Sequence, residues 1–184
     1  MATYLHNSGC ITPEMTSNTS PSPFVISASN ETGPNNLAYR AFDQLGGAVE
    51  PWYYNSVDTP QWIKVDTGGI YTITSYTLTA ANNNASFPGM PTAWTLGGSI
   101  NDDDYTEIDS VVSELGWGNN EMRTFTPDSG TFRFFLLTMT AKEAGGAGWQ
   151  MNEFELIQSL LSCYLHARRD RLNIGGVSTQ NQLE

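Results

Sequence analysis

The sequence predicts an all-β protein folded as a single sandwich, on three observations. A chain of 184 residues buries one substantial core and is too short for two ordinary domains and a linker. It is 39% hydrophobic and only 15% charged, and its 17 Gly and 9 Pro imply many turns between short elements. Finally, the run Ile70-Tyr-Thr-Ile-Thr-Ser-Tyr-Thr-Leu-Thr-Ala80 is dense in β-branched and aromatic residues, the composition of a pleated strand, with Ile73, Tyr76, Leu78 and Ala80 facing inward.

The other elements follow in chain order. Residues 1–14 are polar and irregular, punctuated by Pro13, and are expected to form an N-terminal arm that docks on a partner or on the domain itself. A Ser/Thr/Pro turn leads into a short strand, Phe24 to Ala28. Asn36 to Gln44 forms a short helical turn that carries Tyr39 and Phe42 inward and leaves Asp43 beside the Gly46-Gly47 bend. The loop Pro51 to Asp58 is rich in aromatics, and Trp62, Ile63 and Val65 make a strand stopped by Gly68-Gly69. After Ala80 comes a loop of turn formers, Asn82 to Pro91, and then a strand from Ala93 to Gly97. The acidic run Asn101 to Asp104 is a solvated hairpin tip. It lacks the sixth-position Gly and the twelfth-position Glu of an EF-hand loop, Val112 standing at the twelfth. The loop Leu115 to Met122 leads to a strand at Arg123 to Thr126, and a further strand spans Phe132 to Met139. The loop Lys142 to Gln150 ends on Trp149, and a last strand runs to Ile157. Residues 159–184 form a C-terminal extension. Leu161, Tyr164, Leu165 and Leu172 recur at helical spacing, with Arg168, Arg169 and Arg171 placed late, as suits a helix C-terminus. That segment is either a docking helix with a polar tail or a strand extension followed by disorder.

Composition excludes several functions. A net charge of −11 opposes nucleic acid, whose phosphates need clustered Lys and Arg, and favours cations instead. No apolar stretch approaches the roughly 18–20 residues that cross a bilayer, so no membrane insertion is expected. The first fifteen residues carry neither a basic stretch nor an apolar run, and no secretory signal peptide is expected. No catalytic residues are assigned. The two histidines, His6 and His166, lie outside the expected domain, no Cys-x-x-Cys or His-Glu-x-x-His motif occurs, and acidic pairs such as Asp102 and Asp103 sit on turns.

The ordered motifs Ala41-Phe42-Asp43, Trp52, Gln61-Trp-Ile-Lys-Val-Asp-Thr-Gly68, Gly98-Ser99 with Tyr105, Phe132-Arg-Phe-Phe-Leu-Leu137 and Glu153-Phe-Glu-Leu156 resemble those of the discoidin, or coagulation-factor type C, family of galactose-binding-like domains. The resemblance covers residues 15–158 and implies a discoidin-like jelly-roll β-sandwich with the 132–139 strand central. It also implies Trp52 and Trp62 as core, and structural calcium held by the Asp43 and Glu153 side chains with carbonyls around Arg40 and Leu45. Two departures stand out. Gln44 replaces the Gly that usually follows Asp, and Ile100, Asn101 and Asp102 replace the usual Asn-Asp-Gly of the hairpin. The family often ties its two ends with a disulfide. Cys10 and Cys163 are placed for one, or are two unpaired thiols.

A sugar site needs an aromatic face and polar groups for hydroxyls on shallow loops. Tyr53, Tyr54, Phe87, Trp117 and Trp149 are the loop aromatics that qualify, with Asn82, Asn83, Asn84, Asn119, Asn120 and Arg123 as polar partners. Galactose-binding members carry an Arg after the strand equivalent to Tyr76–Ala80, and Ala81 and Asn82 stand there instead. Residues 15–30 resemble the start of discoidin-like modules encoded by bacteriophages. The expected function is therefore a non-catalytic carbohydrate-binding and adhesion module on a phage virion, recognising a host-surface glycan. It would contact other virion proteins through its terminal segments and form a homo-oligomer. The alternative is a structural capsid-decoration or tail-tip subunit that uses the same fold for protein contacts.

Overall fold

The computed structural model describes residues 9–45 and 51–159. Its strands are β1 (Val25–Ala28), β2 (Trp52–Tyr54), β3 (Gln61–Thr72), β4 (Ser75–Thr79), β5 (Pro91–Ser99), β6 (Thr106–Val111), β7 (Met122–Phe125), β8 (Thr131–Lys142), β9 (Trp149–Met151) and β10 (Glu153–Ile157). The helical turn expected after Asn36 is a 3-10 turn, Ala38–Phe42. Three antiparallel sheets result: a five-stranded sheet in the order β1-β3-β8-β5-β6, a three-stranded sheet β10-β4-β7, and a ribbon β2-β9. The all-β sandwich is as expected, and β8 lies at the centre of the larger sheet. Among the described residues no helix is long and apolar enough to cross a membrane.

The period-two pattern of β3 sets the inner face of the large sheet. Gln61, Ile63, Val65 and Thr67 are buried, while Trp62, Lys64 and Asp66 alternate outward and are half-buried. Trp62 therefore stands on the outer face, a correction to its expected core position. β3 also does not stop at the glycines. Gly68 takes a positive φ of 68° within a bulge, and pairing with β8 resumes at Tyr71.

The expected strand from Ile70 to Ala80 is divided because its two halves serve different sheets. Tyr71 and Thr72 still pair with β8, whereas Ser75 to Thr79 pair with β10, and the Thr74 N–H donates to the Ile157 carbonyl at 2.7 Å where the chain crosses over. Ile73, Tyr76, Leu78 and Ala80 are buried as expected. The last expected strand is likewise split at Asn152, β9 pairing with β2 and β10 with β4.

Between the sheets lie Phe42, Trp52, Tyr76, Trp94, Phe135 and Phe154. Phe125 stacks on Tyr76 at 5.2 Å and meets Trp94 edge-on at 5.0 Å. The polar edges of this core are satisfied in series. Trp94 Nε1 donates to the Tyr76 hydroxyl at 2.8 Å, and that hydroxyl donates to Asp109 Oδ2 at 2.6 Å. Burial and the neighbouring Asp109 carboxylate hold Tyr76 protonated, far above the usual tyrosine range.

The second half of the expected N-terminal arm docks on the domain itself. Ile11 N–H donates to the Leu156 carbonyl at 2.9 Å, Gln158 N–H donates to the Gly9 carbonyl at 3.0 Å, and Thr12 is 3% exposed. Burial lifts the Cys10 thiol to about 11. Cys163, its partner in one of the two alternatives, the Gly46-Gly47 bend and the C-terminal segment 160–184 lie outside the described residues.

Candidate binding site at one end of the sandwich

Four connections meet at one end of the sandwich, where β3 and β5 begin and β4, β6 and β8 end: residues 51–60, 80–90, 112–121 and 143–148. Polar side chains with little exposed surface tie them together. Asn84, fully buried, donates through Nδ2 to the Trp117 carbonyl at 2.9 Å and to Glu143 Oε2 at 2.8 Å, while its Oδ1 accepts from Gly89 N and Gln150 Nε2, each at 3.2 Å. Glu143 Oε1 in turn accepts from the Trp117 N–H at 3.1 Å. Every hydrogen-bonding atom of the Asn84 amide is thus used, tying the 80–90 loop to the 112–121 and 143–148 loops and to β9 and fixing their relative positions. Backbones also touch directly. Gly146 packs so closely on the Pro88 carbonyl that a Cβ would overlap it, which excludes any other residue without movement of the loop.

Phe87 is raised on this scaffold and is 64% exposed. Gln150 donates its amide to the Phe87 carbonyl and pairs with Tyr53 across the β2-β9 ribbon, so it places the Phe87 and Tyr53 segments on its two sides. Tyr53 and Tyr54 are half-buried, and the Tyr53 hydroxyl donates to Asn55 Oδ1 at 2.9 Å. Asn119 and Asn120 are exposed on the neighbouring loop, and Asn119 Oδ1 accepts from the Ala85 N–H at 2.7 Å; Asn82 is half-buried and Asn83 exposed. The structure thereby gathers Tyr53, Tyr54, Asn82, Phe87 and Asn119 at one end of the fold.

Three of the expected ligand contacts are instead part of the scaffold. Trp149, in β9, is fully buried and donates Nε1–H to the Asp58 carbonyl at 3.0 Å. Trp117 is 3% exposed, donates to the Pro91 carbonyl at 3.1 Å, and has the Arg123 guanidinium over its ring at 4.2 Å. Neither ring offers a face to a ligand. Arg123 is engaged too, by Glu121 Oε1 at 2.8 Å, Glu114 Oε1 at 2.5 Å, and the carbonyls of Leu115 and Gly116 at 3.0 Å. That guanidinium and the Gly118 N–H hold Glu121 below the usual carboxylate range. Arg123→Met, which keeps the stem but removes the guanidinium, is expected to cost roughly 1–3 kcal/mol and to speed amide exchange across residues 114–121. Unchanged exchange there would show that Arg123 does not hold the loop. Asn84, Glu143 and Gln150 carry the architecture, and of these only Asn84 stood out in the sequence, as one of a run of asparagines.

On the flank, Asp43 and Glu153 face each other under 3% and 0% exposure. Asp43 follows the 3-10 turn, whose Phe42 packs on Phe154 at 5.4 Å and so brings the turn against β10. Asp43 accepts from Leu45 N at 3.0 Å and Arg40 at 3.2 Å. The Gln44 N–H and the Asp43 carboxyl lie close to Glu153, but neither Glu153 oxygen meets a donor in good hydrogen-bonding geometry. Burial raises Asp43 above its ordinary range against the pull of Leu45 and Arg40, and burial with the charges of Asp43 and Glu155 pushes Glu153 well above its own. Gln44 takes the left-handed φ of 58° that a Gly would adopt freely, and its side chain donates to the Thr12 carbonyl at 3.0 Å. Two facing buried carboxylates with unmet oxygens fit a hard cation. Among the described residues no group of three or more His, Cys, Asp or Glu side chains is placed to hold a metal ion. A separate cleft of about 220 Å³, lined by Glu107, Asp109, Thr126 and Asp128 among others, opens beside β6 rather than among these loops.

Comparison with known proteins places this geometry in context. The family model of the F5/8 type C domain matches residues 25–154. Comparison with curated protein sequences finds no match. Among solved structures, chitosan-binding module 1 derived from a chitosanase/glucanase of Paenibacillus sp. IK-5 is 20% identical with a TM-score of 0.61, covering 81% of this chain and 98% of its own. A Clostridium perfringens module, CpGH89CBM32-5, in complex with GalNAc-β-1,3-galactose, is 21% identical with a TM-score of 0.57, covering 73% and 94%. The family 32 carbohydrate-binding module of C. perfringens NanJ in complex with galactose is 20% identical with a TM-score of 0.56, covering 72% and 92%. The fold is that of carbohydrate-binding modules.

Proposed function

Since the chain belongs to the F5/8 type C domain family, we propose that it is a non-catalytic carbohydrate-binding module whose ligand rests on Phe87 between the 51–58 and 80–90 loops. The observation that carries this is Phe87 itself: a large aromatic 64% exposed on loops that buried hydrogen bonds hold rigid. A solvent-facing ring on a preorganised scaffold offers the apolar side of a pyranose a surface without ordering cost. Tyr53, Tyr54, Asn82 and Asn119 supply hydroxyl and amide groups around it. The similar modules named for chitosan and found with galactose or GalNAc-β-1,3-galactose support the reading. The resemblance of residues 15–30 to phage-encoded modules supports display on a virion, with a host-surface glycan as ligand. Calcium is the cation proposed for Asp43 and Glu153, with backbone carbonyls completing its oxygen shell. It would join the 3-10 turn to β10 and supply charge neutralisation, not chemistry.

The test is binding of the purified protein to bacterial-surface and other glycans. Wild type is expected to give a saturable signal that Phe87→Ala lowers about tenfold or more, with the melting temperature moved by less than about 2 °C. Binding indifferent to Phe87→Ala would remove the platform. Silence of folded protein across the panel would favour the structural virion subunit, which incorporation of the protein into particles then checks.

A further inference from the structure

Electrostatics narrow the class of glycan, given the loop site above as the place of binding. Arg40, Lys64, Arg123, Arg133 and Lys142 are all the basic residues among those described, and each is already engaged. Arg40 pairs with Asp43 at 3.2 Å, Lys64 with Asp102 at 2.7 Å, and Arg133 with Asp66 at 2.7 Å. At the loop end itself, Arg123 spends its donors on Glu114, Glu121 and two loop carbonyls, with an indole beneath it. Lys142 donates to the carbonyls of Glu143 at 3.1 Å and Gly146 at 2.8 Å. To meet a carboxylate or sulfate on a sugar, either cation would have to leave carbonyls that hold the 113–121 or 143–148 loop in place. Each such exchange would cost the loop geometry on which the aromatic site depends.

The acidic groups at this end are less constrained. Asp58 is exposed on the Tyr53–Tyr54 loop, its backbone held by Trp149 and Gln61 while its carboxylate faces solvent. Glu114 and Glu121 share the single charge of Arg123, which leaves that ion cluster negative. Across the full chain the balance is −11. An anionic polymer approaching these loops meets repulsion and finds no spare cation among the described residues; a polymer carrying ammonium groups meets attraction. We infer that the loop site selects amino sugars, a β-linked glucosamine oligomer being the type case, and rejects uronate-bearing glycans. The aromatic platform supplies contact common to both, and the fixed charges around it discriminate.

Calorimetric titration of the full chain in mildly acidic buffer tests this with three oligomers of equal length: glucosamine, N-acetylglucosamine and galacturonate. Glucosamine is expected to bind tightest and to weaken about threefold between low and moderate ionic strength. The N-acetylated oligomer, similar in shape but uncharged, is expected to bind about threefold less tightly and without salt dependence, and galacturonate to give no saturable heat. Asp58→Asn is expected to lower glucosamine affinity and leave the N-acetylated oligomer unchanged. Galacturonate binding as tightly as glucosamine, or equal, salt-insensitive affinity for the charged and acetylated forms, would overturn the charge selection while leaving the glycan site standing. Absence of binding to all three and to the wider glycan panel, from folded protein, would instead remove the site itself.

Discussion

In the presence of a chelator at neutral pH, Glu153→Gln is expected to melt at a higher temperature than wild type; in calcium the order is expected to reverse. The reason lies in two carboxylates buried face to face, with Glu153 approached only by the Gln44 N–H and by Asp43 itself and with neither of its oxygens in good hydrogen-bonding geometry. Burial raises the folded-state pKa of Asp43, and burial together with the charges of Asp43 and Glu155 raises that of Glu153, above their unfolded values. A group raised in this way contributes its full stability below the unfolded pKa, near 4 for a carboxyl, and loses it as pH rises through the folded value. The metal-free protein should therefore gain stability on acidification from neutral toward that range. Further acidification protonates carboxylates such as Asp66, which Arg133 holds below the usual range, and that contribution falls away. A bound cation inverts the first effect by compensating both charges at neutral pH. At a thousandfold excess over its dissociation constant it contributes about 4 kcal/mol, which the Gln variant, with one carboxylate fewer, forfeits in large part. Thermal melts from about pH 4 to 8, with calcium or chelator, check both signs. A wild-type melting temperature indifferent to calcium, or a Gln variant that responds to it as wild type does, would sink the cation site.

What the sequence disclosed depended on whether the signal was local. The alternation in Gln61-Trp-Ile-Lys-Val is local, and it orients β3 correctly; the same alternation puts Trp62 outside, against the core position that family resemblance implied. Phe42, Tyr76 and Leu78 were legible as core because each sits in a short apolar pattern, whereas Trp52 was legible only through the family resemblance. The break near Thr74 was not, because the residues on both sides are equally good strand formers and only the partners change. At the site, Phe87, Tyr53 and Tyr54 could be singled out by residue type and loop setting. Trp117 and Trp149 were misjudged by the same reasoning, since glycine neighbours mark freedom of the backbone, not exposure of the side chain. The hub at Asn84 was hidden for another reason. It stands in a run of three asparagines, and only contacts 33, 59 and 66 residues away distinguish it from the other two. The departures Gln44 and Asp102 adopt the left-handed backbone of the glycines they replace, at φ of 58° and 63°. Asp102 offsets that cost by accepting from Lys64 Nζ at 2.7 and 2.8 Å.

Trp149→Ala is expected to destabilise the protein by about 3–5 kcal/mol, as truncation of a buried indole does, and to lower the melting temperature by about 10 °C. The side chain is fully buried, its strand pairs with Tyr54, and Nε1 anchors the Asp58 carbonyl at 3.0 Å. Removing it leaves a cavity beneath the ribbon that carries Tyr53 and Tyr54, so glycan affinity measured well below the melting temperature should fall as well. Trp149→Phe separates the two contributions. It keeps most of the packing and removes the donor, yet the Asp58 carbonyl still accepts from Gln61 Nε2 at 3.1 Å and is not stranded. The Phe variant should therefore lose only about 1–2 kcal/mol and retain most binding. Phe87→Ala should show the opposite pattern, with binding lost and stability kept, because that ring faces solvent. A stable Trp149→Ala protein that loses binding as Phe87→Ala does would mean that the indole contacts ligand directly, and the division between scaffold and platform drawn from burial would be wrong.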